Sequence, residues 1–347
     1  MSRPTLSDVA RQAGVGVATV DRVINGRARV RPETSQRVLE AAEAIGFRAT
    51  GLIRARIDQR AGQFKLGFIL QRRSAPFYSL LADALTDATH ACSAIQGQPV
   101  VEFLNELTPQ AVSEALLSMG SRVDALALVA ADHPKVRDAI EQLHARGIPV
   151  ITLLTDLSAT HRVSYIGIDN RRAGRTAAWT ISRLSKAPGK VAILVGSHRY
   201  QCQELCEVSF RSYFRENAPK FQIVEDLISL EDPALAQEAT FDLLQRHPDL
   251  IGIYVAGGGA EGVIAALRDN PATRGIITVC NELTEQTQSA LVDGIIDLVI
   301  SHPRERLAAT AVQAMIDALE GRSSGGSGSE QSTQHLLPFD IHIAENV

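Results

Sequence analysis

Two hydrophobic rhythms divide this 347-residue chain. Near the amino end, Leu6, Val9, Ala10 and Ala13 fall at i, i+3, i+4 and i+7, the stripe of a helix with one buried face. Thr5 precedes the stripe as an N-cap, Asp8 stands three residues on where a carboxylate completes a capping box, and Gly14 ends the helix. A second helix is predicted from about Val17 to Asn25. It turns Val20, Val23 and Ile24 inward, while Val17, Ala18, Asp21, Arg22 and Asn25 share the opposite face. A third starts at Pro32, suited to a first helical position, buries Val38, Leu39, Ala42 and Ile45, and stops at Gly46. Two short helices joined by a glycine-containing turn make a helix-turn-helix, whose second helix enters the DNA major groove.

From Lys65 onward the rhythm changes. The apolar runs KLGFIL, VVEFL, ALALVAA, PVITLL, YIGID, KVAILV, QIVEDLISL, GIYVA and IITVC alternate with longer amphipathic stretches. Repeated alternation of this kind implies parallel sheets flanked by helices, with ligands held beyond the carboxyl ends of the strands. Residues 63–347 are enough for two such lobes facing each other across a cleft.

Charge follows the same division. Residues 1–60 hold eleven Arg against six Asp and Glu, a balance of +5, whereas the whole chain is −4, leaving −9 for the rest. A basic head on an acidic body suits a DNA-binder whose body stays off DNA. No signal-like segment and no apolar run near ~18 residues occurs, so the expected location is the cytoplasm. The four cysteines, Cys92, Cys202, Cys206 and Cys280, form no CxxC pair and have no nearby His pair, so they read as reduced thiols, with no metal and no cofactor expected.

Three patterns then narrow the picture. T-L-x-D-V-A-x-x-A-G-V at residues 5–15, T-V-x-R-V-I-N-G at 19–26 and V-x-x-x-T-x-x-x-V at 30–38 occur in this order and spacing. Together they resemble the headpiece of the LacI/GalR family of bacterial transcription regulators. The later segment YIGIDNRRAGRTAA at 165–178 resembles the periplasmic-binding-protein-like body of the same family. The resemblance implies a helix-turn-helix domain at 1–48, a hinge at 49–62 and an effector-binding, dimerising domain at 63–347. One lobe would take about 63–165 and 302–322, the other about 166–299 and 332–347. The run SSGGSGSEQ at 323–331 reads as a flexible crossing or surface loop, and no leucine heptad follows it, so a homodimer is expected and not a tetramer.

For the head, the resemblance implies that Val17, Ala18 and Arg22 face base edges of double-stranded operator DNA. Arg22 would pair with guanine O6 and N7. Thr5, Ser7, Thr19, Asn25 and Thr34 would position phosphates. Asp21 departs from the small hydroxyl residue usual there; orienting Arg22 and accepting from a cytosine N4 amino group are both open to it. The hinge also departs: Ala49-Thr50 replaces a Pro-Asn entry, and Arg56 stands at the expected place of a minor-groove-wedging Leu. Leu52, Ile53 or Ile57 would then wedge, or Arg54 and Arg56 would read a narrow minor groove.

For the cleft, residues following strands are the candidates. Ser74, Phe77 and Tyr78 follow the first strand, where relatives set aromatics against a sugar ring, though two aromatics opening a helix are as often core. Asp132 and His133, then Thr155 and Asp156, follow the next strands; ligand hydroxyls or plain solvation would satisfy them. Glu282 matches an acidic position used for ligand hydroxyls, and His302 lies at the lobe crossing, as ligand contact or satisfied core histidine. Cys206, Gly259 and Val129 replace polar residues of sugar-binding relatives, and Arg199 and Tyr200 are the candidates to compensate. The implied effector is a small sugar, polyol or derivative.

Two other functions fit parts of the chain. GGGAEG at 257–262 contains G-x-G-x-x-G after a predicted strand, with Glu282 about 20 residues beyond, the formal fingerprint of a dinucleotide-dependent oxidoreductase. No catalytic His, Lys or Tyr constellation accompanies it. A solute-binding protein shares the two-lobed body but not the DNA-reading head.

Overall fold

The computed structural model describes residues 4–25, 30, 32–53, 62–270, 273, 275–323 and 333–347. The head is α1 (Leu6–Ala13), α2 (Val17–Asn25) and α3 (Pro32–Ala44), followed by a helical turn, α4, at 50–53. Gly14 at φ 64° and Gly46 at φ 65° take the left-handed conformation that closes α1 and the turn after α3. Val9, Ala10, Ala13, Val20, Val23, Val38, Leu39 and Ala42 form one small core, to which α4 adds the wholly buried Ile53. The head's packing therefore extends five residues past the boundary of 48 expected from sequence.

The body consists of two lobes with one plan. In the first, β1 (Gly62–Leu70), β2 (Ile95–Phe103), β3 (Ala125–Leu128), β4 (Val150–Leu153) and β5 (Ser164–Ile168) line up in the order 2-1-3-4-5, all parallel. In the second, β6 (Lys190–Val195), β7 (Gln222–Ile228), β8 (Leu250–Val255), β9 (Ile277–Asn281) and β10 (Leu298–Ser301) repeat it as 7-6-8-9-10. The crossover helices are α5 (Pro76–Ala91), α6 (Pro109–Met119), α7 (Pro134–Ala145), α8 (Asn170–Leu184), α9 (Gln201–Asn217), α10 (Pro233–Arg246), α11 (Ala260–Arg268) and α12 (Glu285–Val292).

Both faces of each sheet are covered, which is why the strands read as unbroken apolar runs. Along β1, Leu66, Phe68 and Leu70 enter one core layer while Ile69 enters the other. Along β6, Ala192 and Leu194 alternate with Val191, Ile193 and Val195 in the same way. Each such fully buried Val, Leu, Ile or Phe side chain contributes roughly 1.5–3 kcal/mol.

The lobes are stitched by three crossings. After β5 the chain enters α8 of the second lobe; after β10 it returns through α13 (Arg304–Ser323), which packs Leu307, Ala311, Met315 and Leu319 into the first lobe. The carboxyl-terminal segment, expected to lie wholly in the second lobe, is instead divided. β11 (Thr333–Leu337) extends the first sheet parallel to β5, and β12 (Asp340–His342) pairs antiparallel with β10 in the second. Pro338 between them supplies no backbone N–H and separates the two short strands. β5 likewise lies whole in the first sheet, so the lobe boundary falls after Ile168 and not within the strand at 165.

Candidate functional site

In the head, the outer face of α2 takes no part in the core. Val17 is 45% exposed, and Ala18, Arg22 and Asn25 are exposed, with Thr19 half-buried. Arg22 has no hydrogen-bond or ion-pair partner among the described residues. Asp21 turns out to orient Asn25, whose side-chain amide donates to its carboxylate at 2.6 Å, and not Arg22. Ser7 is exposed and Thr34 half-buried. Thr5 is more committed: its backbone N–H and its hydroxyl both donate to Asp8, at 2.9 and 2.7 Å. Those two bonds hold the Asp8 carboxyl below its ordinary pKa. Sequence reading missed Arg37, which donates to the carbonyl of Ala13 at 2.6 Å and so fastens α3 to the end of α1. Among the hinge candidates, Ile53 is buried in the head and Leu52 is 48% exposed, whereas Arg54, Arg56 and Ile57 lie outside the described residues, as does 324–332.

The two sheets point the carboxyl ends of their strands at a cavity of about 450 Å³. Its walls follow β1, β7, β8, β9 and β10, close to where each strand order reverses, the place open α/β sheets offer to ligands. From the first lobe come Gln71, Arg72, Ser74, Phe77 and Tyr78. Pro76 starts α5 directly after the loop, so Phe77 and Tyr78 stand in its first turn, ring centroids 5.3 Å apart and nearly perpendicular. Burial, helped by Glu231 nearby, raises the Tyr78 phenol well above its ordinary pKa, so its proton stays available for donation.

The second lobe supplies Asn170, Cys202, Gln203, Cys206, Glu231, Gly257, Gly258, Gly259, Glu261, Asn281 and Glu282. Glu282 has a left-handed backbone, φ 70°, that turns its carboxylate to the crossing. There it accepts from His302 Nδ1 at 2.5 Å and from the His302 backbone N–H at 3.3 Å. His302 is 8% exposed, and its Nε2 is buried without a partner.

Glu231 was invisible to sequence reading. It follows β7 in a pair of left-handed residues, Leu230 at φ 51° and Glu231 at φ 59°, and no local signal in ISLEDP marks that geometry. Its carboxylate accepts from Gln203 Nε2 at 2.7 Å and from the Gly258 N–H at 3.0 Å. Burial raises its pKa, and those two bonds oppose the rise. The group lies so close to the backbone that a Cβ at Gly196 would come within 1.6 Å of it, and one at Gly258 within 2.2 Å. Glycine at these two positions makes room for a carboxylate. The loop that mimics a dinucleotide fingerprint thus already holds an anion of its own, and a pyrophosphate would meet Glu231 there.

Of the residues named from sequence, Ser74, Phe77, Tyr78, Cys206, Gly259, Glu282 and His302 line the cavity. Asp132, Asp156 and Tyr200 do not. Asp156 is a structural acid, held by both Arg162 Nε and Nη2 at 2.5 Å and by Thr152 at 2.9 Å. Asp132 accepts from Ser158 at 2.6 Å, and its N–H reaches across the lobes to the Arg199 carbonyl at 3.0 Å. Tyr200 is buried at the amino end of α9, its phenol also raised by burial. His133 caps α7 through the Lys135 N–H, and Thr155 accepts from the Cys202 N–H at 3.4 Å, another link between lobes. Val129 belongs to the first lobe's core. Gly259 is set by its φ of 105° and by Ala236, 2.7 Å from where a Cβ would stand. Burial keeps Cys202 protonated and pushes the Cys206 thiol up to about 11, so neither is a nucleophile at neutral pH.

The comparisons agree with this architecture. Residues 66–323 match the periplasmic binding protein domain, and residues 5–49 match the bacterial regulatory proteins of the lacI family. The chain is 28% identical over 179 residues to catabolite control protein A of Priestia megaterium, covering 51% of each protein. It is 26% identical over 271 residues to the HTH-type transcriptional regulator GalS of Salmonella typhimurium, covering 77% of this chain and 76% of that one. The first alignment spans about half of that relative's length. Among solved structures, a solute-binding protein from Agrobacterium vitis bound with alpha-D-tagatopyranose superimposes with a TM-score of 0.73 at 19% identity, over 82% of this chain and 95% of that one. The glucose-galactose binding protein GanP of Geobacillus stearothermophilus gives 0.72 at 18%, over 82% and 99%. At such identity these two share the fold alone. Neither the head nor the body belongs to an enzyme class, which removes the oxidoreductase reading. With a LacI-type head joined to a two-lobed body, this chain belongs to the LacI family of bacterial regulatory proteins.

Proposed function

We propose that the protein is a cytoplasmic transcription repressor that reads a pseudo-palindromic operator as a homodimer and is controlled by a small sugar-like or polyol effector in the inter-lobe cleft. The observation that carries the reading is the pairing, in one chain, of an exposed α2 face on which Arg22 is unpartnered among the described residues with a cavity between the lobes lined by aromatic, amide and carboxylate side chains. Val17, Ala18 and Arg22 supply the base contacts, and Ser7, Thr19, Asn25 and Thr34 the phosphate contacts; Thr5 contributes mainly by fixing α1 through Asp8. Arg54, Arg56 and Leu52 are assigned to the hinge's contact with the minor groove.

In the cleft, Glu282 and His302 hold ligand hydroxyls, Tyr78 and Phe77 cover the ring, and Ser74 completes the first-lobe wall. A relative named as the ribose operon repressor, from Halalkalibacterium halodurans, supports a sugar-like effector. Ligand binding draws on contacts from both lobes, so it biases their relative position and through it the hinge and the head. A thermal-shift screen of sugars, polyols and their derivatives tests the effector. At 100 times its dissociation constant a true effector adds about 2.7 kcal/mol of stability, and Glu282→Ala cuts that shift to about half or less. Silence across the panel, or a shift indifferent to Glu282, contradicts the reading.

A further inference from the structure

We infer that the effector carries a protonated amine, held by Glu231 at the second-lobe wall of the cleft; this rests on the cleft being the effector site, as proposed above. The inference comes from which polar groups of the cavity are already used. Asp232 spends its carboxylate capping α10, accepting from the N–H groups of Ala234 and Leu235. Glu282 is paired with His302. What is left is two carboxylates, Glu231 and Glu261, against one guanidinium, Arg72, so a ligand entering the cavity meets a net negative charge.

Donors and acceptors are unequal in the same direction. Glu231 uses two acceptor positions of its carboxylate, on Gln203 and Gly258, and keeps the others. Glu261 has no hydrogen-bond partner among the described residues. His302 Nδ1 is taken by Glu282, and its Nε2 is buried and unpartnered. Arg72 alone offers a cationic donor. The backbone amide that would welcome an anion, the Gly258 N–H, is already bonded to Glu231. Gln203 and Asn281 each have one of their two amide hydrogens engaged, by Glu231 and by the Ala256 carbonyl.

An ammonium brings three donors and one positive charge, which answers both imbalances at once; a carboxylate or phosphate worsens both. Glu231 sits opposite the aromatic wall, with Tyr78 among the groups that feel its charge. A polyol of single-ring size with one amine therefore lays its ring on Phe77 and Tyr78 and its nitrogen on Glu231. Glu282 and His302 remain for hydroxyls.

Isothermal titration of the full chain with glucosamine, galactosamine and mannosamine tests this, beside the parent hexoses, their N-acetyl forms and the hexuronic acids. An aminohexose is expected to bind roughly tenfold or more tighter than its parent and its N-acetyl form, the scale of a hydrogen bond to a charged group. Glu231→Gln, shown to be folded by its melting transition and its DNA binding, should bring that preference, read as the ratio of the two dissociation constants, below about twofold. A preference that survives in Glu231→Gln overturns the assignment to Glu231. Equal or tighter binding of neutral or acidic sugars overturns the amine while the cleft stands as effector site, provided Glu282→Ala weakens that binding roughly tenfold or more. No binding of any of these sugars overturns the amine and the sugar-like effector together.

Discussion

The two lobes share a strand order yet present opposite chemistry to the cleft between them. The first offers an aromatic edge and one guanidinium, Phe77, Tyr78 and Arg72; the second offers three glutamates, Glu231, Glu261 and Glu282. The contrast extends to how each lobe uses acids. In the first lobe Asp156 is 5% exposed and clamps Arg162, a structural pair; in the second, Glu282 and Glu231 face the cavity from left-handed backbone that aims them there. A repeated scaffold thus separates a wall that covers a ligand from a wall that binds it.

The largest effect that separates the walls belongs to Asp156→Ala. It leaves Arg162, 14% exposed at its side chain, buried without its partner, and should cost about 3–5 kcal/mol in chemical denaturation without altering ligand preference. Glu282→Ala is its counterpart. Effector affinity should fall by roughly 10- to 150-fold by titration, with a much smaller change in stability, because the group it frees is one histidine. A large loss of stability and an intact affinity would reverse the roles assigned to the two acids. Tyr78→Phe removes only a hydroxyl from the covering wall and should weaken effector binding by about 0.5–1.5 kcal/mol.

The smallest effect concerns the head. Asp8 has its folded pKa below its unfolded value, so its contribution to head stability is full above the unfolded value and is lost as pH falls through the folded one. Asp8→Asn should flatten that acid limb of a pH-melting profile by lowering the neutral plateau toward the acid value, a small change since the group is exposed. A head whose acid limb is untouched by Asp8→Asn would deny the capping box its part.

What the sequence disclosed and what it withheld follow from the range of the interactions. Helix periodicity, N-caps and αL glycines are local, so α1 to α3 and the outward face of Arg22 were legible residue by residue. The β-α alternation likewise gave two parallel sheets, and position after a strand was enough to bring Ser74, Tyr78, Glu282 and His302 to one cavity. Position after a strand was not enough for Asp132 and Asp156, whose carboxylates found Ser158 and Arg162 through loop geometry that no pattern encodes. Glu231 was missed for the converse reason. A surface-like Glu before Asp-Pro became a buried wall residue only because two consecutive left-handed residues and two glycines admit it. The carboxyl-terminal strand was divided between lobes by strand pairing of long sequence separation, again beyond local pattern.

The central claim, that the head reads DNA sequence as a symmetric pair, is tested most directly by selecting bound sequences from randomised duplexes with the full chain and with Arg22→Ala. The expected result is one inverted repeat whose half-site centres lie about one helical turn apart or a multiple of it. Arg22→Ala should bind that site more weakly by roughly 1–3 kcal/mol while its affinity for random DNA is nearly unchanged. Selection that enriches no sequence, or equal losses on specific and random DNA in Arg22→Ala, would contradict it.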